Sequence, residues 1–422
     1  MTPMSRCAIV LLLAAAGLAR ADDADDRIRG LVEQLADGEP GRREEAAQAL
    51  VEIGPVAEPA VRRALGSANP EVRERADLVL DELLARWTLA PSAWVRLPEG
   101  PVLLPTLLED LRIQARRPVE APAALLQDKT WRGPAGVYPM WQALDLIAEA
   151  SGCHCSADFR RRIRFSEGAD SLRTASYSGP FRAIARMSGH DAGSVDVEWE
   201  PHVRLLAVDD QVKSAAAFLD NGRMAGVRPT NGAEPRLEEL RRTRDAIGQS
   251  MGRATPVASL AFECAGVPPE ATHFSSLDLT WGVLLATEQE EAWFGPGVTK
   301  KEEQVAAGPV TVTVGSAQPG AARPDIDCRV EGLRALKPYD SPLAEGLPTR
   351  ILVTVRVRYW NGFEEELTPR MQTDTTDDVF HFRLRASELG PEAEAIGIAV
   401  ATRSTYREVS FSFHDVRLPA GR

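Results

Sequence analysis

Ile351-Leu352-Val353-Thr354-Val355-Arg356-Val357-Arg358-Tyr359 alternates apolar and polar side chains. Successive side chains of a strand point to opposite faces, so Ile351, Val353, Val355 and Val357 share one face. The pattern recurs across the second half of the chain. Phe181–Met187, Ser194–Trp199, Leu205–Val208, Val257–Phe262, Leu277–Ala286, Val310–Val314, Val379–Leu384, Ile396–Thr402 and Val409–Phe413 are further strand candidates. Short strands separated by Gly/Pro turns predict one or two β-sandwiches. We place one β-rich sandwich domain at 175–335 and a β-rich sheet or second sandwich at 345–422. Pro235 to Gly248 is apolar at Leu237, Leu240 and Ile247 and otherwise polar, which reads as a helix or mobile insertion within 230–252. Gly295 to Gln304 reads as an exposed loop.

Upstream the period becomes helical. Leu107, Leu108, Leu111 and Ala115 form one face; Ala143, Leu144, Ile147 and Ala150 form another, ended by Gly152. The two segments align at a spacing of 35, Asp110 on Asp145, Leu111 on Leu146 and Ala115 on Ala150. Strand candidates flank them at Trp94–Leu97, Lys129–Arg132, Cys153–Cys155 and Arg162–Phe165. Residues 93–170 therefore predict two β-α-β halves sharing one small sheet, helices on one face. The segment Trp141-Gln142-Ala143-Leu144-Asp145-Leu146-Ile147-Ala148-Glu149-Ala150-Ser151-Gly152, and less fully Leu107 to Ala115, resembles the short N-terminal (STN) domain of secretins and TonB-dependent receptors. The resemblance implies a periplasmic protein-docking module. No secretin or barrel sequence follows, so the family's transport and signalling roles are not carried over. Trp141 reads as a core anchor, since aromatics at helical spacing pack inward. Tyr177 to Arg182 and Val197 to Pro201 resemble segments of exported bacterial proteins whose function is not established.

The segment before this module repeats. Residues 35–54 and 65–84 align at a spacing of 30, matching Leu35 with Leu65, Pro40 with Pro70, Arg43-Glu44 with Arg73-Glu74, Ala46 with Ala76 and Leu50 with Leu80. Ile28, Leu31, Val32 and Leu35 fall at helical positions. Pro40 and Pro70 suit first helical turns. Leu31, Leu35, Asp37, Arg43, Ala46, Ala47, Leu50, Ile53 and Gly54, then Val61, Leu65, Asn69-Pro70, Val72, Arg73 and Ala76, resemble HEAT repeats within 22–90. Arg42 departs from the pattern where the second unit has Val72. The resemblance implies a protein-binding surface, on which Arg43 and Arg73 are the candidate contact residues. Two units are fewer than the three that bury a continuous core, so one apolar face should dock on the next domain or on a partner.

At the start, Arg6, the apolar run Ala8 to Leu18 and Ala19-Arg20-Ala21 have the three parts of a signal peptide over 1–21. Cleavage is expected between Ala21 and Asp22, which places the mature chain in the periplasm or outside the cell. The run is about half the roughly 20 residues that span a bilayer. Asp22-Asp23-Ala24-Asp25-Asp26 follows it, so no anchor continues; an uncleaved anchor is the alternative. Net charge is −12. Residues 1–21 hold Arg6, Arg20 and no acid, so the mature charge is −14. That balance disfavours nucleic acid and anionic membranes as partners. Cys153, Cys155, Cys264 and Cys328 survive cleavage, and an oxidising compartment allows three full pairings among them.

No P-loop, H-E-x-x-H, G-x-S-x-G or C-x-x-C occurs, so no catalytic residue is assigned. Cys153-His154-Cys155 has soft-to-borderline ligands that suit zinc or copper(I). On a strand, however, residues 153 and 155 share a face and His154 points away. No metal or cofactor is therefore assigned. Glu198 and Glu200 are paired carboxylates of the kind that serve glycoside hydrolysis. His381 and His414 flank strands; Asp374, Asp377 and Asp378, like Asp209 and Asp210, read as solvated acidic loops. The sequence thus predicts a multidomain α+β chain: a HEAT-like helical repeat pair, a small β-α-β/β-α-β module and a C-terminal β-sandwich region. The expected role is a non-catalytic scaffold binding another envelope or secreted protein. The alternative is a carbohydrate-binding or hydrolytic protein with a cleft in the β-rich region.

Overall fold

The structure is a computed structural model of the chain. It describes residues 25–115, 119–122, 129–157, 163–168, 173–200, 202–229, 257–295, 302–316, 325–336, 352–360, 364–367, 370–371, 376, 378–385, 389 and 393–419. Ala21, Asp22 and the 230–252 insertion lie outside them. The chain divides into two compact units, Met1–Trp87 and Thr88–Arg422.

The first unit is helical: α1 (25–34), α2 (Pro40–Ile53), α3 (Glu58–Ala64) and α4 (Pro70–Thr88). Proline opens α2 and α4, where its missing N–H has no intrahelical acceptor to lose. Ile28, Leu35, Leu50, Val61, Ala76 and Leu80 fill the core. The 30-residue spacing reappears as one hydrogen bond made twice. Arg43 donates to the Asp37 carbonyl at 2.8 Å, and Arg73 donates to the Ser67 carbonyl at 2.7 Å. Each arginine ties down the turn that precedes its own helix.

The second unit begins with β1 (Trp94–Leu97), β2 (Val102–Leu103), α5 (Leu104–Ala115), β3 (Val119–Glu120), β4 (Thr130–Trp131), β5 (Gly136–Pro139), α6 (Met140–Ser151), β6 (Cys153–Ala157) and β7 (Ile163–Glu167). Leu107, Leu111, Leu144 and Ile147 pack the two helices onto a shared core with Trp131 and Trp141. The strands do not form one sheet. β1 pairs with β5, β2 with β4, and β3–β7–β6 form a third set. β2, β3 and β4 have two residues each, and Gly133 and Pro134 lie in the turn that separates β4 from β5.

The rest of the unit is β8 (Arg173–Ser178), β9 (Phe181–Met187), β10 (Ala192–Trp199), β11 (Arg204–Leu219), β12 (Met224–Pro229), β13 (Val257–Ala265), β14 (His273–Phe294), β15 (Glu303–Ala307), β16 (Val310–Ser316), β17 (Ile326–Glu331), β18 (Val353–Tyr359), β19 (Glu364–Leu367), β20 (Arg370–Met371), β21 (Val379–Leu384) and β22 (Ala393–Arg417). Ten strands form one sheet in the order β19-β18-β22-β14-β11-β12-β13-β10-β9-β8. Five form another, β15-β16-β17-β21-β20. The large sheet curls until β8 meets β22, where the Ser412 N–H donates to Ser176 Oγ at 3.0 Å.

This corrects the expected fold class. Among the described residues strand outweighs helix, and the dominant element is a large curled sheet rather than a helical repeat with small domains beside it. Nor is the β part a C-terminal sandwich. Each large sheet takes strands from both 175–335 and 345–422. The physical reason lies in β14 and β22, which pair antiparallel from His273↔Arg417 to Phe294↔Ile396. Leu277, Leu279, Trp281, Val283 and Leu285 of β14 face one core with Val409, Phe411 and Phe413. Leu284, Ala286, Ala292 and Phe294 face a second core with Ile396, Ile398 and Val400. Each long strand thus serves two cores on opposite faces, and Thr287 to Glu291 is the crossing rather than a strand end. Among the described residues no helix is long and apolar enough to cross a membrane.

Candidate functional site

Chemistry-bearing side chains meet where the mixed module covers the outside of β9 and β10. Phe181, Ala183, Ala185 and Met187 of β9 point into the first β core. Alternation sends Arg182 to the other face, where Glu198 of β10 is its register partner. Trp141 and Asp145 of α6 and the Cys155 carbonyl of β6 close over it, so Arg182 is fully buried. Its guanidinium donates to Asp145 at 2.7 Å, to Glu198 through Nε at 2.9 Å and again through a terminal nitrogen, and to the Cys155 carbonyl at 3.2 Å. It lies 4.3 Å from the centre of the Trp141 ring. Burial works against its charge, but Glu198 and Asp145 outweigh that and hold its pKa above the usual guanidinium range.

Arg173 and Tyr177 of β8 complete the cluster. Arg173 donates to Asp145 at 3.5 Å and to His154 Nδ1; the Tyr177 hydroxyl donates to Asp145 at 2.7 Å. An arginine cannot accept, so His154 accepts through Nδ1 and carries its proton on Nε2. Burial, then Arg173, Arg182 and Arg186, lower the His154 pKa to about 4, against the single opposing charge of Asp145. Two arginines and two carboxylates balance around a neutral imidazole.

Cys153 and Cys155 point away from His154 into the module core. Burial raises both thiols, Cys155 to about 12, away from the thiolate form that binds metals. The three candidate ligands do not converge, and among the described residues no group of three His, Cys, Asp or Glu is placed to hold a metal ion. Cys264 lies in the first β core and Cys328 in the second; with Cys153 and Cys155 they are the buried free thiols among the described residues.

The remaining candidates are dispersed. Glu200 Oε2 accepts from the Ser92 N–H at 2.8 Å and the Ser92 hydroxyl at 2.6 Å, while Glu198 is committed to Arg182. The two carboxylates therefore do not flank a common cleft. His381 pairs with Asp327 at 2.7 Å on the five-stranded sheet, whereas His414 sits opposite Ser276 on the ten-stranded one. Asp378 accepts from the Arg334 N–H at 3.0 Å. Asp374, Asp377 and the side chains of Asp209 and Asp210 lie outside the described residues. Arg43 and Arg73 spend their guanidinia on turn carbonyls, and Arg43 also reaches Glu71 at 3.4 Å. Sequence reading missed Asp145, Arg173, Tyr177 and Arg182. The available signal was Arg182 inside the apolar run Phe181 to Met187, because a charge in a strand buried on both faces requires a partner.

An open site lies in the helical unit. α2 and α4 enclose a groove of about 590 Å³ whose floor includes Ala47, Val51 and Val79, with Glu44, Glu52 and Leu78 among its rim residues. Leu78 is 64% exposed there. Comparison with protein-family models, with curated proteins and with solved structures finds no match.

Two outcomes test the buried cluster. Arg182→Met leaves Glu198 buried without its arginine, and Asp145 with only Arg173 and the Tyr177 hydroxyl; it should cost about 3–5 kcal/mol in urea unfolding, whereas Arg182→Met/Glu198→Leu should regain much of it; equal loss in both variants contradicts a paired charge. The second concerns pH. His154 stays neutral in the fold down to about 4, but takes a proton below its ordinary 6.5 when unfolded. The unfolded chain binds more protons in that window, so stability falls as pH drops through it. His154→Gln should flatten the fall of the urea midpoint between pH 7 and pH 4.5 (a span set by ordinary histidine titration, roughly), and parallel curves would contradict the assignment.

Proposed function

We propose that this chain is an exported, non-catalytic scaffold that binds another envelope or secreted protein through its helical unit. The observation that carries this reading is the α2–α4 groove, with an apolar floor and a large apolar side chain left in solvent beside it. Exposed apolar surface rimmed by polar groups is the usual mark of a protein-binding patch. The internal bonding of the ionisable residues supports the same reading. Glu198, Glu200 and His381, which a hydrolytic reading would use, are each held by a structural partner.

The test uses the full exported chain as bait in envelope extract of its source, beside the Leu78→Asp variant. Leu78 is exposed, so the substitution should leave the circular dichroism spectrum unchanged. A protein retained at constant stoichiometry by the parent and lost from the variant is the expected result. Identical retention by both chains, or turnover of glycan or ester substrates by the parent, would overturn the proposal.

A further inference from the structure

The chemistry of the groove specifies its partner, an inference that rests on the protein-binding reading above. Ala47 and Val51 stand one turn apart on α2, and Val79 of α4 completes the apolar floor. Residues four apart on a helix line up in a row. Glu44, Gln48 and Glu52 therefore form one rim, and Leu78, Glu82 and Arg86 form the other. Such four-residue rows, with a furrow between them, are the surface into which the ridge of another helix packs.

The charges are not symmetric about this furrow. Glu44 and Glu52 stand about 12 Å apart along α2 at 1.5 Å per residue. Gln48 between them donates weakly to Glu52 at 3.4 Å and adds no charge. Arg75, which also lines the groove, is answered by Glu71 of its own helix at 3.3 Å, and Arg86 stands one turn from Glu82 on the α4 rim. On the α4 side Leu78 is the exposed apolar residue. The α2 rim thus asks for cations and the floor and Leu78 ask for apolar side chains. A second copy of this chain or an anionic lipid surface fits poorly, because the chain carries −12.

The geometry points to an amphipathic helix of a partner protein. Its apolar ridge lies along Ala47, Val51 and Val79 against Leu78, and lysines or arginines two turns apart on its flank face Glu44 and Glu52. Recognition of this kind reads helical spacing and flank charge together.

The probe is a fluorescent synthetic helix of about 18 residues, roughly five turns, with leucine on one ridge and lysine on the flank. Two control peptides replace lysine by glutamate or scramble the order. Anisotropy is measured with the full chain at about 0.15 M ionic strength, where diffuse attraction is screened. The lysine peptide should bind saturably and one to one. Glu44→Lys/Glu52→Lys and Leu78→Asp should each weaken it by about tenfold or more, and neither control peptide should bind. Binding unchanged by either variant would show only general attraction to an acidic chain and would overturn the proposal. So would equal binding of the glutamate peptide, or a dimer of the chain that Leu78→Asp dissolves. If a natural partner is lost with Leu78→Asp while the lysine peptide fails to bind, this inference falls and the protein-binding reading stands. If Leu78→Asp alters neither, both fall.

Discussion

The pairing of β14 with β22 holds the larger unit together, because one pair of strands is shared by two hydrophobic cores. A strand serving one core alternates buried and exposed residues. Trp281 to Ala286 are instead buried without a break, since the odd positions face one core and the even positions begin to face the other. The register shift between Ala286 and Gln289 lies just beyond, where burial passes from one face to the other. β11 adds to the free side of β14 and β18 to the free side of β22, so both flanks of the ten-stranded sheet take their register from this pair. The chain between them, residues 295–392, supplies β15, β16, β17, β20 and β21, the second sheet of the second core.

The ionic cluster follows from the same curled sheet. Curling puts one face of β9 and β10 on the first core and leaves the other to be covered by the mixed module. A face that meets water in most antiparallel sheets is here buried with its charges. Arg182 answers Asp145 and Glu198 at once, which removes the cost of an isolated buried charge and fixes how the module seats on the sheet. The same arrangement turns residues of catalytic type into structural ones. His154 is held neutral among arginines, and Glu200 secures the turn at Ser92. The proposed role rests instead on the α2–α4 groove, a surface of the helical unit.

Local elements were legible in the sequence because short-range periodicity sets them. Phe181–Met187 is β9 and Trp94–Leu97 is β1, residue for residue. The faces through Leu107 and Leu111, and through Leu144 and Ile147, are the buried faces of α5 and α6. Assembly was not legible. Leu277–Ala286 read as a complete strand because Glu288, Glu290 and Glu291 look like a solvated end, and periodicity carries no mark for a change of buried face. Ile396–Thr402 and Val409–Phe413 read as two strands for the same reason, yet they are one. The Arg182 cluster joins residues from five elements, and its spacing of 37 residues to Asp145 has no local signature. The groove was not legible, because the repeat marks Arg43 and Arg73, which hold turns, whereas Glu52 and Leu78 on its rim stand out only once α2 and α4 are packed.

The most direct test of the shared strand pair is native-state amide hydrogen exchange along β14 and β22 at increasing urea. If both cores hang on this pair, amides beside Leu279 and Phe411 in the first core and beside Ala292 and Ile398 in the second should exchange through one opening, with the same free energy and the same urea dependence. Two separate openings, with the segment from Ala292 to Phe294 and its partners released first while Leu277 to Val283 stay protected, would show that the cores are independent and would contradict the account.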